Sequence, residues 1–205
     1  MTTPQFDIRP SLIKGDPADA YLHWTKEVMR LESLNPKVLM DFSAPNSGVL
    51  CGVEEAKALL LNVLPKVEQD NQTNNGNDVV QVWAMEEGEK FEAGEPVLRV
   101  ISKYASFGLY ETSILGMLSS STGWATAAND CVESAGETTV IAYGARHIHP
   151  NVAHILDYAS VIGGCSSVST ILGSKHAGRN PIGNMPHSLP LLFGDTVAAA
   201  QAFDK

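Results

Sequence analysis

Short strand-like and helical segments alternate from residue 138 onwards, and this alternation constrains the fold more than any other feature of the chain. β-Branched residues mark the strands, apolar residues at helical spacing mark the helices, and glycines separate them. In order, the sequence predicts a strand at Thr138–Tyr143, a helix at Pro150–Ile162, a glycine segment at Gly163–Cys165, a helix near Val168–Ala177 ended by Gly178, a strand at Pro181–Met185 and a helix from His187.

Strands and helices that alternate at this spacing form βαβ units, whose strands lie parallel in one sheet. We therefore predict an α/β chain in which an N-terminal α+β domain, residues 1–107, is followed by the first part of a parallel β/α barrel, residues 108–205. A complete barrel of eight units needs about 250 residues, so the barrel is incomplete here.

An incomplete barrel leaves an unpaired, mostly apolar sheet edge, which has to be covered. Either the chain is cut from a longer protein, which we favour, or a second chain completes the barrel. A reading frame that continues past Lys205 would support the first explanation. We expect residues 1–205 not to catalyse by themselves, because part of the barrel is missing.

The N-terminal domain is predicted from its own periodicity and turn residues. Tyr21, Trp24, Val28 and Leu31 recur at helical spacing, so we expect most of them in the core. The predicted elements are a helix at Ala18–Leu34 opened by Asp16-Pro17, a strand at Val38–Ser43, a helix at Val53–Leu64, a polar loop at Asp70–Asp78 and a strand at Val79–Ala84. After this domain, a helix is predicted at Glu111–Ala128, whose small residues, including Gly116, Gly123 and Ala128, permit close helix approach.

Positive charge and histidine concentrate in one window of an acidic chain. The net charge is −9, yet the stretch 140–193 is formally +2 and holds five of the six histidines. Its charged residues are Arg146, Lys175 and Arg179 against Asp157. Local positive charge attracts anionic ligands, so the window predicts a site for an anionic small molecule. The alternative is a chance cluster on a solvated face.

The composition excludes several other classes of protein. An acidic balance argues against a general nucleic-acid binder. The N-terminus lacks the apolar stretch of a signal peptide, and no apolar run approaches the length of a membrane span. Cys51, Cys131 and Cys165 are widely spaced and form no CxxC motif, which favours reduced thiols in a cytoplasmic protein and neither a disulfide frame nor a metal site.

Functional residues of parallel β/α barrels lie at the carboxyl ends of the strands. Arg146 follows one predicted strand and is able to clamp a carboxylate or phosphate. Tyr143 offers an aromatic face, Ser166 follows a glycine turn, and His187 follows the strand at Pro181–Met185 as a possible acid, base or nucleophile. The alternatives are a surface ion pair for Arg146, a core position for Tyr143 and a buried helix cap for His187.

Several strings of the chain resemble the nicotinate phosphoribosyltransferases, in the same order and at similar spacing. The resemblance runs from about Asp16 to Lys205, and that family is roughly twice this length. The strings are Asp19-Ala20-Tyr21, the ETSILG at Glu111–Gly116, YGARHIHP from Tyr143, GGCSSVST from Gly163, GNMPHSL from Gly183 and GDTVAAAQAFD from Gly194.

The resemblance implies a reaction that forms nicotinate mononucleotide and pyrophosphate from nicotinate and phosphoribosyl pyrophosphate. ATP is implied as a cosubstrate and Mg²⁺ as a companion of phosphoribosyl pyrophosphate, with no tightly bound cofactor. A head-to-tail homodimer or higher oligomer is also implied, with no nucleic-acid or membrane partner.

Roles for individual residues come from the same resemblance. Arg146 would hold the pyridine carboxylate, Tyr143 would stack on one face of the ring, and Tyr21 of the partner subunit would cover the other. His187 would accept the phosphoryl group of ATP, and Gly183 would lie in the substrate pocket. Relatives that use nicotinamide carry aspartate at the position of Ser166, so serine predicts the acid as substrate.

The chain departs from the family pattern at two positions, where it has His147 in place of a frequent arginine and Asn184 in place of a common threonine. Two other functions stay open at this point. A quinolinate phosphoribosyltransferase shares the architecture but needs a more basic pocket for two carboxylates. A noncatalytic half-barrel subunit is the alternative from another class of protein.

Overall fold

The computed structural model describes residues 6–64 and 80–204, so the predicted loop at Asp70–Asp78 lies outside the described residues. The N-terminal elements are α1 (Pro10–Lys14), α2 (Ala20–Leu31), β1 (Lys37–Ser43), β2 (Gly48–Val49), α3 (Val53–Val63), β3 (Gln81–Ala84), β4 (Lys90–Phe91), β5 (Pro96–Lys103) and α4 (Tyr104–Phe107). The later elements are α5 (Glu111–Ala135), β6 (Ile141–Ala142), α6 (Ala153–Ile162), β7 (Ser167–Val168), α7 (Ile171–His176), α8 (Ser188–Phe193) and α9 (Thr196–Phe203).

An antiparallel sheet in the order β1-β5-β3 forms the centre of the N-terminal half. Alternate side chains of a strand point to opposite faces, so Leu98 and Val100 of β5 are buried in the core together with Leu59 and Leu60 of α3. On the other face, Arg99 donates two hydrogen bonds to Asp41 across the strand pair, at 2.6 and 2.7 Å. The prediction of an α+β arrangement before the barrel segment is confirmed.

The start of α3 is held by a carboxylate from a distant part of the chain. Glu87 accepts hydrogen bonds from the amides of Gly52, Val53 and Glu54 at 2.7–3.2 Å, which satisfies donors that a helix N-terminus leaves free. Burial and the nearby Glu87 carboxylate raise the pKa of the Cys51 thiol and the pKa of the Tyr158 hydroxyl of α6. Burial raises the pKa of Glu87, and the amide donors oppose that rise.

Helix α2 begins at Ala20, two residues later than predicted, because Asp19 occupies the N-cap position and accepts a hydrogen bond from the Thr112 hydroxyl of α5 at 2.8 Å. The expectation that its apolar stripe lies in the core is wrong. Tyr21 is 55% exposed and Trp24 69% exposed, and Val28 and Leu31 are exposed as well. Periodicity identifies an apolar face but not what covers it, and within this chain α2 packs through Leu22 and Met29 instead.

Helix α5 continues seven residues beyond its predicted end and packs closely against the end of α6. A Cβ atom placed on Gly163 would lie 2.2 Å from the Ala125 carbonyl oxygen and 2.8 Å from the Ala128 Cβ. Close approach was predicted for the small residues of α5 and occurs at Ala125 and Ala128. Gly116 and Gly123, in contrast, would meet nothing within 4 Å.

Replacing Gly163 with alanine should therefore lower the free energy of unfolding by about 1–3 kcal/mol, the usual cost of forcing extra volume into a packed contact. Gly123→Ala is the matched control, and it should raise the free energy of unfolding by about 0.5–1 kcal/mol because alanine favours a helix interior. Urea denaturation of both variants at full natural length measures the two changes. Equal effects in the same direction would contradict the packing argument.

The later elements form a βαβ unit, as the alternation predicts. Strands β6 and β7 pair in parallel with Ile141 opposite Ser167, and α6 connects them. The predicted strand at Pro181–Met185 is wrong, because no strand is assigned there. The Ile182 amide still donates to the Val168 carbonyl at 3.0 Å beside β7, but proline at 181 and at 186 has no amide hydrogen to extend the ladder.

Apolar side chains are exposed on the last three helices, among them Ile171, Leu191, Leu192 and Phe203. The three cysteines are free thiols, with Cys51 and Cys165 buried. Within residues 6–64 and 80–204, no helix combines the length and the apolarity that a bilayer crossing requires.

Candidate active site

A cavity of about 800 Å³ opens beside the carboxyl ends of β6 and β7. Segments that follow β6, β7 and the extended stretch around Ile182 each contribute to its wall. The lining residues that carry polar or aromatic side chains are Tyr143, Arg146, Ser169, Thr170, Asn184, His187 and Ser188.

Arg146 lies in a one-turn 3-10 helix, Gly144–His147, directly after β6. A Cβ atom placed on Gly144 would lie 2.8 Å from the Leu156 Cδ2 atom of α6, so glycine lets this turn rest on the helix. Among the described residues Arg146 makes no hydrogen bond or ion pair, which argues against the surface ion-pair alternative. Its guanidinium is exposed and lines the cavity.

Tyr143 is not a core residue, because it is 38% exposed and lines the same cavity. Its hydroxyl donates to the Ile182 carbonyl at 3.3 Å, which fixes the ring between the turn after β6 and the segment that leads to α8. Gly183, next to Ile182, also lines the cavity.

His187 occupies the N-cap position of α8 and follows Pro186. The histidine is exposed, and its side chain makes no capping hydrogen bond. The alternative of a buried helix cap is therefore wrong, and the imidazole is accessible to a ligand in the cavity.

The other four histidines of the window do not line the cavity. His154 and His176 pack edge to face at 5.6 Å between ring centroids, in a cluster with Tyr158 and Phe6. Burial lowers the pKa of both. The Nδ1 atom of His149 accepts a hydrogen bond from Asn151, and His147 is an exposed residue of the Arg146 turn.

Two predicted site residues lie elsewhere. Ser166 is exposed outside the cavity lining, and both its amide and its hydroxyl donate to the Val140 carbonyl, at 2.9 and 3.0 Å. Tyr21 projects from α2 and is not brought to the cavity by this chain. Their roles stay predictions.

The sequence reasoning missed Ser169 and Thr170, two hydroxyl residues that line the cavity directly after β7. Ser169 and Thr170 end the string GGCSSVST, which begins with the predicted glycine segment, and this position could have indicated a role in the site. It was overlooked because the predicted helix began at Val168 and so assigned both residues to a helix interior.

The cavity wall carries no carboxylate among the described residues, and Arg146 is its one Lys or Arg. Asp157, the acidic residue of the window, is fully buried and hydrogen-bonds Thr170. In the described part of the chain, no group of three or more His, Cys, Asp or Glu is arranged to hold a metal ion. The arrangement suits a planar, singly anionic ligand.

Comparisons with known proteins all indicate the same family. The model of the quinolinate phosphoribosyl transferase N-terminal domain matches residues 19–122. A nicotinate phosphoribosyltransferase of Mycobacterium tuberculosis is 30% identical over 123 residues, which cover 60% of this chain and 27% of that protein.

Solved structures agree with this match. The nicotinate-nucleotide pyrophosphorylase of Pyrococcus furiosus is 37% identical with a TM-score of 0.86, covering all of this chain and 50% of that one. Human nicotinic acid phosphoribosyltransferase shares the fold, with a TM-score of 0.69 at 20% identity over 85% of this chain and 40% of that one. The chain thus spans half or less of the length of these relatives. It belongs to the type II phosphoribosyltransferase family, the family of the nicotinate and quinolinate phosphoribosyltransferases.

Proposed function

We propose that the protein is a nicotinate phosphoribosyltransferase, which makes nicotinate mononucleotide and pyrophosphate from nicotinate and phosphoribosyl pyrophosphate. The observation that carries this proposal is a cavity whose described wall has one guanidinium, that of Arg146, and no carboxylate. One guanidinium matches the one carboxylate of nicotinate. The relatives named above support the reaction class.

In the proposed reaction, the pyridine nitrogen attacks the anomeric carbon of phosphoribosyl pyrophosphate. The nitrogen–carbon bond forms as the carbon–oxygen bond to pyrophosphate breaks, and the electron pair leaves with pyrophosphate. Arg146 holds the carboxylate through two parallel N–H···O bonds, which orients the ring. The Tyr143 side chain, fixed by its hydrogen bond to the Ile182 carbonyl, limits the tilt of the pyridine ring. Mg²⁺ enters with phosphoribosyl pyrophosphate as part of that substrate.

His187 is proposed as the group that couples ATP to this reaction. Its Nε2 or Nδ1 atom takes the γ-phosphoryl group from ATP, which leaves as ADP, and water later releases phosphate. Exposure on the cavity and the lack of a capping bond support this role, since both leave the imidazole free to react. A neutral imidazole nitrogen is a nucleophile that forms such covalent intermediates.

A homodimer is part of the proposal. The exposed stripe of α2, formed by Tyr21, Trp24, Val28 and Leu31, is an apolar surface without cover inside the described chain. Burying such a surface against a second copy would remove it from water. Tyr21 would then reach the pyridine ring from the partner subunit.

Quinolinate is the second candidate substrate, and the family model is the observation that favours it. Quinolinate has two carboxylates, and a site for it requires a second cation that the described wall of the cavity lacks. The deciding experiment assays the protein at full natural length with phosphoribosyl pyrophosphate and nicotinate, nicotinamide or quinolinate. Turnover of nicotinate alone supports the proposal. Turnover of quinolinate with release of carbon dioxide would replace it with the second candidate.

Ser166→Asp should reduce the use of nicotinate relative to nicotinamide, because the family resemblance implies that residue 166 is close to the substrate, whose carboxylate a second carboxylate would repel. Aspartate also loses the donor that now bonds the Val140 carbonyl. Ser166→Asn is the control, since asparagine has the same shape but no charge and keeps a donor. Steady-state rates for both substrates give the ratio. An unchanged ratio in Ser166→Asp would assign the acid-to-amide preference to another residue.

A further inference from the structure

Asp157 of α6 is a buried acid whose two carboxylate oxygens differ in their surroundings. One oxygen, Oδ2, accepts a hydrogen bond from the Thr170 hydroxyl. The other oxygen, Oδ1, has no hydrogen-bond partner among the described residues. The side chain as a whole is inaccessible to solvent. A carboxyl group buried in this way is costly, and an apolar residue would fill the same space without that cost.

Thr170 connects this buried acid to the cavity. It follows β7, forms the N-cap of α7, and lines the cavity beside Ser169. Its hydroxyl oxygen accepts the Gly173 amide at 3.0 Å while its proton goes to Asp157. Both hydrogen bonds of the Thr170 hydroxyl are therefore made to groups inside the protein. Asp157 and Gly173 together determine the rotamer of Thr170.

The first turn of α7 sits directly on the carboxyl group. A Cβ atom placed on Gly173 would lie 2.1 Å from Asp157 Oδ2 and 2.4 Å from its Cβ. The same helix that carries Asp157 also supports the other wall, because Leu156 packs beneath Gly144 in the turn of Arg146. Two successive residues of α6 thus support two different segments of the cavity wall.

We infer that Asp157 is a positioning residue for the pyridine substrate, acting through Thr170 to hold the segment after β7 in register with the turn of Arg146. This inference rests on the proposed function. A loosened Ser169–Thr170 segment changes the shape of the cavity around the bound ring, so substrate binding weakens while the reacting groups stay in place. A merely stabilising hydrogen bond would change the melting temperature without changing the Michaelis constant.

The test uses the protein at full natural length and measures kcat, the KM for nicotinate and the melting temperature. Thr170→Val keeps the shape and removes the hydroxyl, and it should raise KM about 5–10-fold with kcat within about twofold of its original value. Thr170→Ser keeps the hydroxyl and should have a KM close to that of the unaltered protein. Asp157→Asn keeps one carbonyl oxygen for Thr170 and should also retain a nearly unchanged KM, whereas Asp157→Ala should raise it.

Ser160→Ala is the control for stability. Ser160 is a buried residue of the same helix whose hydroxyl donates to the Leu156 carbonyl at 2.9 Å and does not reach the cavity. The Ser160→Ala substitution should lower the melting temperature and leave the KM for nicotinate unchanged. An unchanged KM in Thr170→Val, with the unaltered protein active, would overturn the positioning role alone. No turnover of any pyridine carboxylate by the unaltered protein would overturn the proposed function and this inference with it.

Discussion

Replacing Arg146 with lysine should raise the KM for nicotinate by about 10–100-fold. A lysine ammonium is a point charge on a flexible stem and does not reproduce the two parallel hydrogen bonds of a guanidinium. Hydrogen bonds to charged groups are worth about 1.5–3 kcal/mol, which corresponds to this range. The KM for phosphoribosyl pyrophosphate should change much less, because the proposed contact involves only the pyridine carboxylate. Initial-rate kinetics with each substrate varied in turn measures both constants.

Arg179→Lys is the matched control, because it makes the same charge-conserving exchange outside the cavity wall. Arg179 belongs to the same positive window but does not line the cavity, so its replacement should leave the KM for nicotinate unchanged. A KM for nicotinate that stays the same in Arg146→Lys would remove Arg146 from the carboxylate site. Equal rises in both arginine variants would show that the effect of the arginine-to-lysine exchange does not depend on a position in the cavity wall.

Replacing His187 with alanine should abolish the labelling of the protein by γ-labelled ATP and remove the stimulation of nucleotide synthesis by ATP. The label in the unaltered protein should be acid-labile, as a phosphoryl group on imidazole nitrogen is. Because His187 is exposed and makes no capping hydrogen bond, the variant should stay folded, with a stability change within about 0.5 kcal/mol. Autoradiography after acid and alkaline treatment, together with thermal unfolding, measures these properties.

His147→Ala is the control, because His147 is exposed on the turn of Arg146 but does not line the cavity. Its labelling should match that of the unaltered protein. Labelling that persists in His187→Ala would transfer the phosphoryl acceptor to one of the other clustered histidines, and His154 and His176 are poor candidates because they are partly buried against each other.

Local patterns predicted the elements whose partners lie nearby in the chain. Alternation after residue 138 predicted a βαβ unit with parallel strands, since a strand, helix and strand of this length have few other arrangements. It did not locate β7, because Val168 was assigned to the following helix. The stripe from Tyr21 to Leu31 was assigned to the core because periodicity carries no information about the covering surface. The strand at Pro181–Met185 was predicted from its apolar residues. The prediction gave too little weight to proline, which has no amide hydrogen to donate to a sheet.

Part of the candidate site follows from the same local reasoning. Tyr143 and Arg146 line the cavity because they follow β6, at the carboxyl end of a parallel strand. His187 reaches the same cavity from the extended stretch around Ile182, which lies beside β7 without being a strand. The pairing of Asp157 with Thr170 is different, since the two residues are 13 positions apart on separate elements. No periodicity or motif relates them, and only the packing of α7 on α6 brings them together.

The start of α3 has a consequence for cooperativity. The Glu87 carboxylate bonds the amides of Gly52 and Val53 there. The preceding residue, Cys51, is bonded by the barrel segment, because the Thr122 hydroxyl of α5 accepts from the Cys51 amide at 3.2 Å and donates to the Cys51 carbonyl at 3.0 Å. Unfolding the barrel segment alone would leave the buried amide and carbonyl of Cys51 without this partner, at a cost of about 1–3 kcal/mol for each group left unsatisfied. Residues 1–107 and 108–205 are thus distinguishable along the chain, but we expect them to melt in a single transition.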